Sequence, residues 1–195
     1  MTNPHPQPQK SPAAEGTPPV RLNWGCGEWL EPGWINSDVK DGPGIDISCD
    51  IRDGLPIERN SLDYIASHHA LPEIPLAEVV RVLEELRRVL KPGGVLRLGL
   101  PDLDKGIQAY LENDRDYFLI PDNEAATIGG KLVTQLLWYG WSRTIFTHDF
   151  AEELLRKAGY REIHACSFHE TKSRFPGIID LDSRERESFF VEATK

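Results

Sequence analysis

The chain has 195 residues and carries a net charge of −9, from 22 Lys and Arg against 31 Asp and Glu. That length predicts one folded domain, and a composition of 39% hydrophobic and 27% charged residues excludes a fibrous or wholly disordered chain. The acidic balance argues against a nucleic-acid backbone as partner, and no run approaches the roughly 20 apolar residues that a membrane span requires. The opening decapeptide MTNPHPQPQK lacks the apolar centre of a secretory signal. Cys26, Cys49 and Cys166 are scattered and odd in number, which suits free thiols in a reducing compartment. These features together predict a cytoplasmic protein with neither nucleic acid nor membrane as a partner. Oligomeric state is not legible.

Residues 1–19 hold six of the fifteen prolines and no large apolar residue beyond the initiating Met. Such a stretch buries too little surface to offset its ordering entropy, so it reads as a disordered tail before one domain at 20–195. Within the domain, strands are expected at 20–24, 34–39, 45–50 and 62–67. A helix follows over 75–90, where Leu76, Val79, Val80, Leu83, Leu86 and Leu90 recur at helical spacing. Pro75 opens it, Pro92-Gly93-Gly94 stops it, and opposite charges at Arg81–Glu85 and Glu84–Arg88 are spaced to pair along it. A fifth strand is expected at 95–100, then helices near 102–111, 123–137 and 148–158, and strands at 162–168 and 188–193. Strand–helix alternation predicts an α/β fold, a Rossmann-like and mostly parallel sheet with helices on both faces and an antiparallel C-terminal edge strand.

In open sheets of this kind ligands bind beyond the carboxyl ends of the strands. Gly25-Cys26-Gly27, Asp38 and Asp50 all fall at such ends. The glycines let the backbone turn tightly and approach a ligand. A dinucleotide fingerprint would want a third glycine where Leu30 stands, and an acid about 20 residues on rather than the nearby Asp38. Only residues 28–33 separate the loop from the second strand, too few for the helix whose N-terminus would hold a pyrophosphate. The pattern suits a ligand with ribose and adenine but no phosphate: Asp38 to accept from the ribose hydroxyls, Asp50 from the adenine amine. Turn and cap roles for both acids are the competing reading.

The segments LNWGCG at 22–27, GWINSD at 33–38, CDIRDGLP at 49–56, NSLDYIASHH at 60–69 and LRRVLKPGGVLRLGLPDL at 86–103 resemble class I S-adenosylmethionine-dependent methyltransferases. The similarity is to the compact type 11 branch, often found among predicted sugar- or surface-polymer-modifying enzymes. It extends through AEELLRKAGYREI at 151–163 to RERESFFVEATK at 184–195. The resemblance implies S-adenosylmethionine as cofactor, held by Trp24, Gly25, Gly27, Asp38, Asp50, Ile51 and His68. Trp24 stands where relatives carry a small aliphatic residue. His69 aligns with a family histidine and is the candidate general base, with His148 as a second. Where relatives carry a Glu-His pair, this chain has Pro72-Glu73.

The resulting expectation is methyl transfer to oxygen or nitrogen of a small-molecule or glycan-like acceptor. The alternatives are a catalytically silent cofactor-binding protein with a regulatory or assembly role, and a nicotinamide-linked oxidoreductase. Trp138, Tyr139 and Trp141 read as either an acceptor wall or a packed helix end. Gly129-Gly130 reads as a hinge or helix break, and Cys26 as a loop filler. The histidine and cysteine spacing predicts no metal site.

Overall fold

The computed structural model describes residues 18–195. Most of the proline-rich stretch expected to be a tail therefore lies outside the described residues. Seven strands form one sheet: β1 (Arg21–Trp24), β2 (Ile35–Asp38), β3 (Ile47–Ser48), β4 (Leu62–His68), β5 (Leu90–Pro101), β6 (Arg161–Cys166) and β7 (Ser188–Thr194). Their order is β3-β2-β1-β4-β5-β7-β6. The first five run parallel, and β7 lies antiparallel between β5 and β6. The expected mixed sheet is present, with β6 as the outermost strand. Four helices accompany it: α1 (Leu76–Val89), α2 (Leu103–Leu111), α3 (Ile128–Leu137) and α4 (His148–Lys157). Among the described residues no helix is long and apolar enough to cross a membrane.

The helical cover is uneven. On one face α1 buries Val79, Val82, Leu83, Leu86 and Val89, and α4 buries Ala151, Leu154 and Leu155, in one core with Leu22, Ile65, Leu96 and Leu98 of the sheet. Alternate residues of the same strands, Tyr64, Ala66 and Val95, face the other way and meet Trp34, Ile178 and the rim residues Phe175, Ile179 and Leu181. The stretch 167–187 between β6 and β7 lies over this second core with 3-10 turns and no α-helix.

Two expectations shift in detail. Neither Arg81–Glu85 nor Glu84–Arg88 forms. Arg88 pairs instead with Glu85, at 2.7 Å, because both side chains turn to the 55 loop, where Glu85 accepts from Leu55 N and Arg88 donates to Leu55 O. The sheet also resumes earlier than expected. The chain is extended from Leu90 onward, and Gly93 at φ +73° carries the Pro92-Gly93-Gly94 turn inside β5.

The seven residues between the glycine loop and β2, 28–34, form no helix. Asn23 Nδ2 donates to Trp29 O at 2.8 Å and to Asn36 Oδ1 at 3.0 Å, and Asn36 Oδ1 also accepts from Glu31 N. Two buried asparagines thus satisfy a connection that has no internal helical hydrogen bonds.

The second core is pinned by Arg97, which is 0% exposed at the centre of β5. Its guanidinium donates to Asp182 at 2.6 and 2.5 Å, to Glu192 at 2.9 Å, and to the carbonyls of Glu170 and Ser167. Arg97→Met is expected to leave both carboxylates buried without a counter-charge and to lower unfolding free energy by about 3–5 kcal/mol. Urea titration checks this, and a loss below about 1 kcal/mol would show that the network is not what holds the segment down.

Candidate functional site

The carboxyl ends of β1 to β5 open into one cavity of about 700 Å³. Its lining includes all the expected cofactor-binding residues and the first candidate base: Trp24, Gly25, Gly27, Asp38, Asp50, Ile51, His68 and His69. At its floor, Gly25 N and Cys26 N both donate to Ser37 O, at 2.8 and 3.0 Å. Asp38 then ties the loop to its own strand end, accepting from Gly27 N at 2.8 Å and from Lys40 N at 3.0 Å, one bond on each oxygen. Each oxygen keeps a lone pair for a further donor.

The two glycines do different things. A Cβ on Gly25 would lie 2.2 Å from Ala70 Cβ, so this glycine lets the loop pack against the turn after β4. A Cβ on Gly27 would meet nothing within 4 Å, so this position is open. Both have positive φ, +69° and +52°. The Cys26 thiol is pushed up to about 11, by burial and then by the Asp38 charge, so it stays protonated and serves as filler.

Asp50 lies in the wall but is engaged. It caps the 51–53 turn through Arg52 N at 2.9 Å and clasps the Arg52 guanidinium at 2.5–3.0 Å. That guanidinium holds its carboxyl below the usual carboxylate range. Beside it, buried Ile51 gives the wall an apolar surface.

His68 and His69 leave β4 on opposite sides. The His68 ring sits against Gly99 and Phe190, with Nε2 3.6 Å from Asp182 Oδ1 and no hydrogen bond to the described residues. Burial lowers its pKa to about 4, against the opposing pull of Asp182. His69 adopts φ +57°, and its Nε2 lies 2.7 Å from Ser188 Oγ. Burial, followed by the charge of Arg184, lowers it to about 3. Both rings are therefore neutral at pH 7. His148, the second candidate, opens α4 beside Phe189 and is not among the lining residues.

The cavity continues past β5 into a wall that sequence reasoning mostly missed: Asp102, Tyr117, Phe118, Leu132, Arg184 and Glu187. Asp102 caps α2 through Asp104 N and Lys105 N, which is a legible signal. Tyr117 and Glu187 come from irregular segments with no periodicity to mark them. Trp138 and Trp141 do line the cavity, on a strap in which Trp138, Tyr139 and Gly140 all have positive φ. Arg143 N and Thr144 N anchor the strap to Pro72 O at 2.8 and 3.0 Å, so the Pro72-Glu73 run forms a docking turn. Gly129-Gly130 is no hinge. It lies in the first turn of α3, capped by Thr127 on Gly130 N.

Residues 30–98 match the family model described as a methyltransferase domain, of the type 11 branch. Solved structures with the same fold include a methyltransferase of Thermotoga maritima described as a possible histamine N-methyltransferase. It is 18% identical with a TM-score of 0.57, over 93% of this chain and 84% of that one. An S-adenosylmethionine-dependent methyltransferase from Mesorhizobium loti is 18% identical with a TM-score of 0.54, over 91% of each chain. A methyltransferase of Haloferax volcanii, solved with its Trm112 activator, is 15% identical with a TM-score of 0.53, over 90% and 82%. No curated protein matches the sequence. Residues 30–98 thus match a methyltransferase domain, and the fold is that of solved methyltransferases whose cofactor is S-adenosylmethionine. The cavity fits that group: an open glycine, a two-oxygen acceptor with spare lone pairs, and an apolar wall at Ile51.

Two outcomes test this geometry. Gly25→Ala is expected to cost more than about 2 kcal/mol, from steric conflict with Ala70 added to left-handed strain, while Gly27→Ala costs about 1 kcal/mol from strain alone. Equal losses in denaturant titration would contradict the separate roles. Second, a buried histidine with a depressed folded pKa binds protons more readily when unfolded. The stability it contributes is complete above about pH 6.5 and is lost as pH falls towards 4. The unfolding midpoint should drop between pH 7 and 5, and His69→Asn, which tolerates the positive φ, should reduce that drop. A pH-independent midpoint in the wild type would refute it.

Proposed function

We propose that this protein transfers the methyl group of S-adenosylmethionine to nitrogen or oxygen of a small-molecule acceptor. The observation that carries the reading is the Asp38–Gly27 hydrogen bond, which sets a carboxylate with spare lone pairs beside an open glycine at the cavity floor. In this reading Asp38 accepts from the ribose hydroxyls and Gly27 admits the methionine end. Ile51 and Trp24 supply apolar wall for the rest. Asp50 acts through Arg52: its oxygens are filled, so its work is to hold the 51–53 turn in place while Arg52 reaches Glu78 at 3.3 Å.

The bound sulfonium would supply an electrophilic methyl, which an acceptor lone pair attacks while the carbon–sulfur pair returns to sulfur. The protein's contribution is alignment and exclusion of water. The strap over the cavity, anchored at Pro72, provides the cover. His69 fits a positioning role better than that of a base. With its pKa held at about 3 and Nε2 engaged by Ser188, it is a weak proton acceptor at neutral pH. His68, on the other side of β4, fits as a wall of the cavity. The silent-binder alternative rested on Pro72-Glu73; in this reading that run serves to anchor the strap, through Pro72 O.

Calorimetric titration with S-adenosylhomocysteine tests the reading. Micromolar binding is expected for the wild type, and Asp38→Ala is expected to weaken it by about tenfold to a hundredfold, the loss of a charged hydrogen-bonding group. Absence of heat and of thermal stabilisation in the wild type would reject it. Unchanged affinity in a folded Asp38→Ala protein would reject the role of Asp38.

A further inference from the structure

The far wall of the cavity has a charge imbalance within an aromatic lining. Glu187 and Asp102 are its carboxylates, and Arg184 is the guanidinium at this end. Arg184 reaches Glu187 at 3.3 Å and stacks over Trp138 at 5.8 Å. Two negative charges against one positive leave one uncompensated. Two further cations stand close by but outside the lining, each occupied with backbone carbonyls. Lys105 Nζ donates to Ser188 O and Glu185 O, and Arg186 donates to Asp116 O while lying over the Tyr117 ring. The cavity's other cations, Lys40, Arg52 and Arg143, belong to the connections after β2 and β3 and to the strap.

Two mostly buried side chains in this wall present polar atoms to the cavity that are not fully engaged by the described residues. Tyr117 is only 9% exposed, yet its hydroxyl makes no hydrogen bond with the described residues. Its pKa is pushed up to about 12 by burial and then by the charges of Asp102 and Glu187, and all three groups line the same cavity. Glu187 is 8% exposed, and its carboxylate has one long contact, to Arg184. Burial raises its pKa above the usual range. Both groups line the cavity with hydrogen-bonding capacity to spare, and beside two carboxylates a positively charged donor is the favoured partner. Phe118 and Tyr117 meet edge to face, and Leu132 completes an apolar surround.

We propose that the acceptor is a primary or secondary amine that enters as an ammonium ion with an apolar or aromatic body, its head bound between Glu187, Asp102 and the Tyr117 hydroxyl. This names the acceptor class for the methyltransferase reading above and rests on it. The ammonium donates to the carboxylates and the tyrosine oxygen, and the rings favour a cation over their faces. Glu187 has a second use, because a protonated amine has no lone pair to attack with. Transfer of one proton from the ammonium to the Glu187 carboxylate leaves a neutral amine with a free electron pair and a neutral carboxylic acid. A raised carboxyl pKa favours that exchange. A bulky anion is disfavoured in the same wall, since it would face two carboxylates.

The test uses three probes that share one phenethyl body and differ in the head: phenethylamine, phenethyl alcohol and hydrocinnamate. Each is titrated into protein saturated with S-adenosylhomocysteine. The ammonium is expected to bind at least about tenfold more tightly than either of the others, one such charge-assisted contact being worth about a factor of ten. Glu187→Gln should cut that preference to less than about threefold. Asp102→Asn should do the same, while its amide oxygen still caps α2. Equal or tighter binding of the alcohol or carboxylate overturns the proposal, as does a preference that survives in both variants. S-adenosylhomocysteine affinity is read in the same samples. Failure of the wild type to bind it would be failure of the methyltransferase reading, whereas intact binding without head-group preference is failure of this inference alone.

Discussion

Arg97 sets the terms for much of this molecule. A guanidinium without solvent, on the interior strand β5, must find opposite charge close by, and it finds Asp182 and Glu192. Asp182 lies in the irregular stretch 167–187, so the ion pair pulls that stretch across the sheet in place of a helix. The same tether brings Arg184 and Glu187 to the mouth of the cavity, a few residues along. Cover for one face and chemistry for the far wall therefore depend on one buried charge. A buried ion pair gains little net stability over an apolar substitute, but half of one is costly, and that cost enforces the placement.

The near wall follows a separate constraint. Seven residues between the glycine loop and β2 leave no room for a helix, so Asn23 and Asn36 hydrogen-bond the connection directly. Asp38 then closes the loop onto the strand end. The result is a cavity floor made of backbone amides and one carboxylate, preorganised before any ligand arrives. Preorganisation matters in methyl transfer, where alignment of nucleophile, methyl and sulfur carries much of the catalysis. The two walls meet across β4, where His69 turns back to Ser188 and His68 faces the Asp182 side.

Much of this was legible in the sequence, and the limits have physical causes. The parallel strands and α1 announced themselves through apolar runs and helical spacing, and the glycine loop with Asp38 through their places at strand ends. β3 was expected over six residues but pairs over two, Ile47–Ser48, because an edge strand is defined by what its neighbour offers. Asp50 reads as an adenine acceptor from its place at a strand end, and the one-dimensional pattern does not show that Arg52, two residues on, folds back onto it. Tyr117, Arg184 and Glu187 were invisible for a different reason. They lie in irregular segments, Tyr117 after α2 and Arg184 and Glu187 before β7, and only tertiary folding brings them to one cavity.

The central claim is that one cavity holds the methyl donor at the glycine loop and the acceptor against Glu187. The most direct measurement is a crystal structure of the protein with S-adenosylhomocysteine bound. The account predicts both ribose hydroxyls within hydrogen-bonding distance of Asp38 and the sulfur directed towards the space between His69 and Tyr117. A ribose bound away from Asp38, or a sulfur facing away from that space, would contradict it.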